Sequence, residues 1–222
     1  MYSVESIKLK TIEKLLLNRK RQEINRAVAK KVENVIDFLN NIKKPQIYFQ
    51  LNKIKVNKNI VSIVDSDISF KSNKLSKSLK YCNELISCLV SLGPDVDTQI
   101  DNFTKRNRMS EAYILDLMSS ITVENMIETF QKKFQNRLLK EGKDVSLRFS
   151  PGYCDWSLKE QKKLFRLFGN NQNIVTLSDT LLMTPRKSIS GVFGLYSKSR
   201  FTKEKYNPCL ECNKKSCIAR RL

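Results

Sequence analysis

Two stretches of the chain hold residue types able to do chemistry at a useful spacing, and both lie in its second half. The first is Arg148-Phe149-Ser150-Pro151-Gly152-Tyr153-Cys154-Asp155-Trp156. It reads as a strand end followed by a tight turn. Pro151 fixes φ at the first central position, and Gly152 can take the positive φ that a type II turn requires next. Without a Cβ, Gly152 also lets a flat ligand lie against the backbone. Arg148 has the fork geometry to clamp a carboxylate, and Tyr153 offers a ring face close to Trp156, the single tryptophan. The same residues equally suit a plain β-turn with a salt-bridged arginine and packed aromatics, since Pro-Gly turns are common.

The second stretch is Cys209-x2-Cys212-x4-Cys217, followed by Arg220 and Arg221. Three thiolates so spaced suit zinc or an iron–sulfur cluster. Structural zinc takes four ligands and the chain has no histidine, so Cys154, beside the turn, is the most attractive fourth. Cys82 and Cys88 read as ordinary buried thiols. A reduced, flexible tail is the alternative for the terminal cysteines. The missing histidine also excludes every mechanism built on an imidazole base, the serine and cysteine hydrolase triads included.

The elements that position these residues follow from hydrophobic period and punctuation. Residues 5–42 carry apolar side chains at three- and four-residue intervals, with a polar break at Asn18 to Gln22, and predict two helices ended by Pro45. Ile47 to Phe49 and Ile60 to Val64 predict strands, and Ser72 to Lys80 a short exposed helix. Leu85 to Leu92 is apolar enough for a buried strand, stopped by Gly93-Pro94 before a helix over Asp95 to Phe103. Ser110 to Leu139 is the longest helical signal, and Gly142 ends it. A strand at Val145 to Phe149, a helix at Ser157 to Phe168, and strands at Ile174 to Leu182 and Ser188 to Tyr196 complete the series. The expected fold class is α+β: a helical segment over residues 1–44, a main domain over 45–200, and a basic cysteine-containing tail over 201–222.

Composition sets the outer limits. Hydrophobic residues make up 41% and charged residues 28% of 222, as in ordinary soluble domains. No apolar run approaches the roughly 20 residues that cross a bilayer, and Met1 to Lys10 lacks a secretory core. No membrane association is therefore expected, and a cytoplasmic location with reduced thiols is. The 41 Lys and Arg against 22 Asp and Glu give a formal charge of +19. Such a charge suits a polyanion, through release of phosphate counterions, or an acidic protein, through steering; a general lysine bias would produce it too. The basic residues are spread along the chain and do not gather into the footprint expected for nucleic acid.

Arg148-x-x-x-Gly152-Tyr153 after a strand resembles the S-adenosylmethionine (AdoMet) binding signature of the activation domain of cobalamin-dependent methionine synthase. A second block is similar to the same family: Leu177-Ser178-Asp179-Thr180 and Met183-Thr184-Pro185, then Ser188-Ile189-Ser190-Gly191, where the family shows Leu-Thr-x-Ser, Met-x-Pro and Ser-Val-Ser-Gly. Ile121-Thr122-Val123-Glu124 resembles the family's helix carrying a functional acid. The likeness spans about residues 45–200, with the two motif blocks in the family's order.

The resemblance implies a single C-shaped domain around a twisted, mainly antiparallel sheet flanked by helices. AdoMet would lie in a cleft along the segment after Arg148, with Arg148 on the methionine carboxylate. Gly152, Tyr153 and Cys154, in the bend set by Pro151, would supply backbone contacts to the nucleoside. Glu124 would bond amino or hydroxyl groups, and Ser190 and Gly191 of the second block would border the ligand. The family's amino-terminal ligand-gripping Asp has no counterpart in the first 45 residues. The family's ligand-contacting Tyr falls by spacing on Phe201, with Tyr196 nearby. The implied activity is reductive remethylation of cob(II)alamin held by a separate methionine synthase, with AdoMet as methyl donor and an acidic flavodoxin-like protein as electron donor. No side-chain acid or base is needed for it. Reactivation of another corrinoid protein, or nucleic-acid binding, are the alternatives.

Overall fold

The computed structural model describes residues 26–42, 45–169, 172–198, 206–214 and 217. The expected helix before residue 26 lies outside the described residues. Helix α1 (Arg26–Asn40) buries Val32, Val35 and Leu39, one stripe at the helical period. It stops five residues before Pro45.

Strand β1 (Gln46–Asn57) runs straight through Asn52-Lys53, and the chain turns only at Lys58, which adopts φ 50°. It pairs antiparallel with β2 (Ile60–Ile63), which pairs with β3 (Ser69–Lys71). Helix α2 (Asn73–Leu79) follows, capped by Ser72, whose Oγ accepts from Leu75 N at 3.0 Å. The sequence suggested an exposed helix. Instead Leu75 and Leu79 are wholly buried, because this short helix packs onto the sheet and needs that contact to exist at all.

Strand β4 (Glu84–Ser91) is buried along nearly its whole length and sits between β1 and β8 (Ser188–Ser197), antiparallel to both. Between them in sequence come α3 (Pro94–Lys105), the 31-residue α4 (Met109–Leu139) and the short β5 (Lys143–Val145). The full order is β3-β2-β1-β4-β8-β5. The α+β class with an antiparallel sheet flanked by helices is therefore what the chain adopts. The strand expected to reach Phe149 is shorter: after Val145 the chain stays on the sheet only through Ser146, whose N donates to Gly194 O at 2.9 Å, and Phe149, in a single bridge to Val192. A 3-10 turn (Leu158–Glu160) leads into α5 (Gln161–Phe168), and β6 (Thr176–Leu177) and β7 (Met183–Thr184) form a separate two-stranded hairpin.

The alternation of β4 and β8 explains the layering, since successive side chains point to opposite faces. Ile86, Cys88, Val90, Phe193 and Leu195 pack beneath α1, α3 and α4. Leu85, Leu89, Val192 and Tyr196 pack on the other face with α2, α5 and Trp156. The site segment thus rests on a core of its own.

Gly194 shows how tight that face is. A Cβ there would stand 2.5 Å from both Cys82 Sγ and Leu79 Cδ2. Gly194→Ala is expected to cost about 1–3 kcal/mol, the ordinary range for overpacking, read as a lowered urea midpoint with an unchanged slope.

Candidate functional site

A cleft of about 600 Å³ opens where α4, the start of β8, residues 147–154, the first turn of α5 and the β6–β7 hairpin meet. That volume fits a small molecule. Its floor is β8 and the segment crossing it. A Cβ on Gly191 would lie 3.0 Å from Phe149 O and 3.3 Å from Arg148 Cγ, so only glycine lets residues 148–150 lie flat on the strand.

The bend itself forms as Pro151 and Gly152 dictate. Tyr153 N donates to Ser150 O at 3.3 Å, with Gly152 at φ 91°. Gly152 N then donates to Trp156 O at 2.8 Å, and Cys154 takes φ 56°. Asp155 fixes the bend to α2. Its carboxylate accepts from Ser72 Oγ at 2.6 Å and from Asn73 N at 2.8 Å, with longer bonds from Lys74 N. Anions at a helix start are favoured by the exposed N–H groups. Since Asp155 is exposed, Asp155→Ala is expected to cost about 1–2 kcal/mol, measurable by chemical unfolding.

Arg148 and Glu124 face each other in this cleft, with Arg148 Nη2 2.7 Å from Glu124 Oε2. The Arg148 side chain is 5% exposed and that of Glu124 48%. A buried guanidinium needs an anion beside it, and the more accessible Glu124 carboxylate is the partner a ligand cation could join. Pro151, Tyr153, Cys154 and Ser190 also line the cleft. Gly152 and Gly191, expected beside the ligand, lie outside the lining and shape it instead.

The tail reaches the same place. Asn207, Pro208 and Cys209 form part of the cleft wall. Tyr206 donates through its hydroxyl to Glu211 Oε2 at 3.1 Å, and Lys77 of α2 stands 5.7 Å from the Tyr206 ring centroid. Thus Cys209 is brought to the cleft that Cys154 lines, across more than fifty residues of chain. Burial holds the Cys154 thiol above its ordinary range; Lys74 opposes this, while Cys209, Asp155 and Cys212 add to it. None of the six cysteines is in a disulfide. Among the described residues no three Cys, Asp or Glu side chains converge closely enough to hold a metal ion, so the expected set of Cys154, Cys209, Cys212 and Cys217 is not formed as it stands. Cys82 and Cys88 are buried, and burial pushes both thiols up to about 12, which keeps them protonated.

Tyr196 does not line the cleft. It lies in the core beneath α2, with its hydroxyl 3.3 Å from Asp144 Oδ2. Phe201 lies outside the described residues. Trp156 is likewise a core residue, 5.3 Å edge-on to Phe70. Leu158 and Gln161 of the α5 start line the cleft without having been anticipated. The signal for them was Ser157, whose Oγ accepts from Lys159 N and sets where that turn begins.

A long helix laid across an antiparallel sheet, with an Arg–Glu pair and a Pro-Gly bend at one open cleft, defines an α+β domain with a cleft of small-molecule size. Residues 97–206 match the family described as vitamin B12 dependent methionine synthase, activation domain. The span takes in Glu124, the Arg148–Trp156 bend and the Ser188–Gly191 block. The fold is shared with a solved structure titled "Crystal Structure of the MetH Reactivation Domain bound to AdoHcy" (TM-score 0.62, 14% identity, covering 86% of this chain and 71% of that one). No curated protein matches. Among the described residues no helix is long and apolar enough to cross a membrane.

Proposed function

We propose that the chain binds AdoMet in this cleft and supports reductive remethylation of cob(II)alamin held by a separate cobalamin-dependent methionine synthase. The observation that carries this reading is the Arg148–Glu124 pair set into the cleft beside the Pro151-Gly152 bend. AdoMet joins an amino-acid carboxylate and ammonium to an apolar nucleoside. Arg148 and Glu124 offer a counter-charge to each of the first two, and Tyr153 and Leu158 offer faces to the third. The chain's task is to hold and aim, replacing a bimolecular encounter by a positioned one. When bound, AdoMet supplies the methyl group that traps the singly reduced cobalt of the partner. A chain without histidine is adequate for that role. The reading places the protein in the cytoplasm, with another corrinoid protein as the alternative client.

Calorimetric titration of the isolated chain with AdoMet tests the reading; absence of binding would end it. The charge of +19 suits docking of an acidic flavodoxin-like electron donor. Reactivation driven by flavodoxin is expected to slow steeply as salt rises from about 0.05 to 0.5 M, since steering between exposed charges is screened over about 10 Å at 0.1 M. A rate flat in salt would remove the electrostatic partner and leave the AdoMet site standing. Nucleic-acid binding is separated from this by a salt-dependent gel shift.

Cys154, Cys209, Cys212 and Cys217 enter the proposal as ligands that zinc or an iron–sulfur cluster would draw together. In its favour, the fold already carries Cys209 to the cleft wall shared with Cys154. A colourless, metal-free chain after anaerobic preparation would remove this part.

A further inference from the structure

We infer that the side-chain amide of Gln161 reads the adenine edge of the bound nucleoside and so sets the base specificity of the cleft, an assignment that rests on the AdoMet reading above. Gln161 is the first residue of α5 and is only 3% exposed, yet it lines the cleft. Its backbone N–H is engaged with Leu158 O. Among the described residues no hydrogen bond or ion pair engages its side chain, and its amide is not sealed from solvent. The amide therefore meets the outside of the protein through the cleft.

A buried primary amide brings two donors and an acceptor, and leaving them without partners costs about 1–3 kcal/mol. In the open cleft water meets them, and a ligand that displaces that water must replace its bonds. The charges at the α5 start are committed elsewhere: Glu160 accepts from Lys71 N at 3.2 Å and from Lys163 Nζ at 2.8 Å. A neutral amide is therefore what the ligand meets here. Arg148 and Glu124 already match the amino-acid moiety by charge, so an uncharged group suits the uncharged part of the ligand. Leu158, in the turn just before it, and Tyr153 of the bend are exposed apolar faces of the same cleft, suited to the flat of a base. A carboxamide meets adenine with one donor and one acceptor, the pairing that lets glutamine or asparagine recognise the amino group and adjacent ring nitrogen. Hypoxanthine, with a carbonyl in place of that amino group, presents the wrong pattern.

The test is calorimetric titration of the full chain with S-adenosylhomocysteine and with its 6-oxo analogue, S-inosylhomocysteine. The wild-type chain is expected to favour the adenine compound by at least about tenfold, the scale on which a site built for a hydrogen bond rejects a mismatch. Gln161→Leu, similar in volume, should lose about tenfold for the adenine compound and bind both within about threefold of each other. Circular dichroism checks its fold. Gln161→Asn, which keeps the amide but withdraws it by one methylene, must also lose the preference and covers the case in which the leucine variant does not fold. Wild-type affinity and preference in either folded variant overturn the assignment and leave the AdoMet site intact. Failure of the wild-type chain to bind either compound overturns the AdoMet reading, and this assignment with it.

Discussion

Trp156→Ala is expected to lower the unfolding free energy by about 3–5 kcal/mol, the range for emptying a buried aromatic site. Trp156 is 1% exposed and is the largest of the fully buried side chains. It ends the bend and fills the core between Phe70, α2 and α5. Its backbone closes the bend as well, donating to Tyr153 O at 3.1 Å and accepting from Gly152 N at 2.8 Å. A cavity there should loosen the segment carrying Tyr153 and Cys154, so ligand affinity should fall together with stability. Trp156→Phe separates ring from heteroatom. The indole Nε1 is buried and makes no hydrogen bond, so the phenylalanine variant gives up area and no polar partner. Its cost should stay near 1–2 kcal/mol. Urea unfolding of the two variants decides this, and equal losses would mean that ring packing is not what holds the bend.

The sequence was most legible where one period dominates. The apolar run at β4 and the stripe along α4 follow directly from burial on two faces of a strand and one face of a helix. The Pro151-Gly152 bend was legible because those residue types have few other uses in tandem. The strand expected over Ile174 to Leu182 is cut down to β6 (Thr176–Leu177), with a turn before β7 (Met183–Thr184). Leu181 takes φ 69° and Leu182 is 68% exposed, while Leu182 N is held by Ser178 Oγ at 3.1 Å. Apolar residues that line an open cleft look like core in a sequence, because composition does not record which side is wet. Arg148 and Glu124 could each be singled out, but their mutual bond spans 24 positions and depends on how α4 crosses the sheet. The tail was least legible. Cysteine spacing pointed to a metal, whereas in the structure Tyr206, Glu211 and Lys77 lay Asn207 and Pro208 along the cleft wall, through contacts with an element more than a hundred residues earlier.

Arg148→Ala is expected to weaken AdoMet binding by more than tenfold with little loss of stability, and the unequal exposure of the pair is the reason. Arg148 is the buried member and Glu124 the accessible one. Removing the arginine therefore leaves a carboxylate that water can still solvate, which costs the fold little. Removing Glu124 instead takes the nearest carboxylate from a buried guanidinium, the kind of change that costs several kcal/mol. For the ligand the asymmetry reverses. Without Arg148 the ligand carboxylate loses a charge-assisted bond worth about 1.5–3 kcal/mol, or roughly 10- to 150-fold in affinity, and meets the unneutralised Glu124 as well. Arg148→Lys, a point charge without the fork, should fall between. The double variant Arg148→Ala, Glu124→Ala gives up Glu124's contact with the ligand ammonium but also its repulsion of the ligand carboxylate, so its loss should be smaller than the sum of the two single losses, and a double-mutant cycle by calorimetry reads that coupling directly. Wild-type affinity in Arg148→Ala would make the arginine a structural partner of Glu124 and nothing more. A full additive loss in the double variant would leave the arginine's contact with ligand in place and remove Glu124's opposition to it.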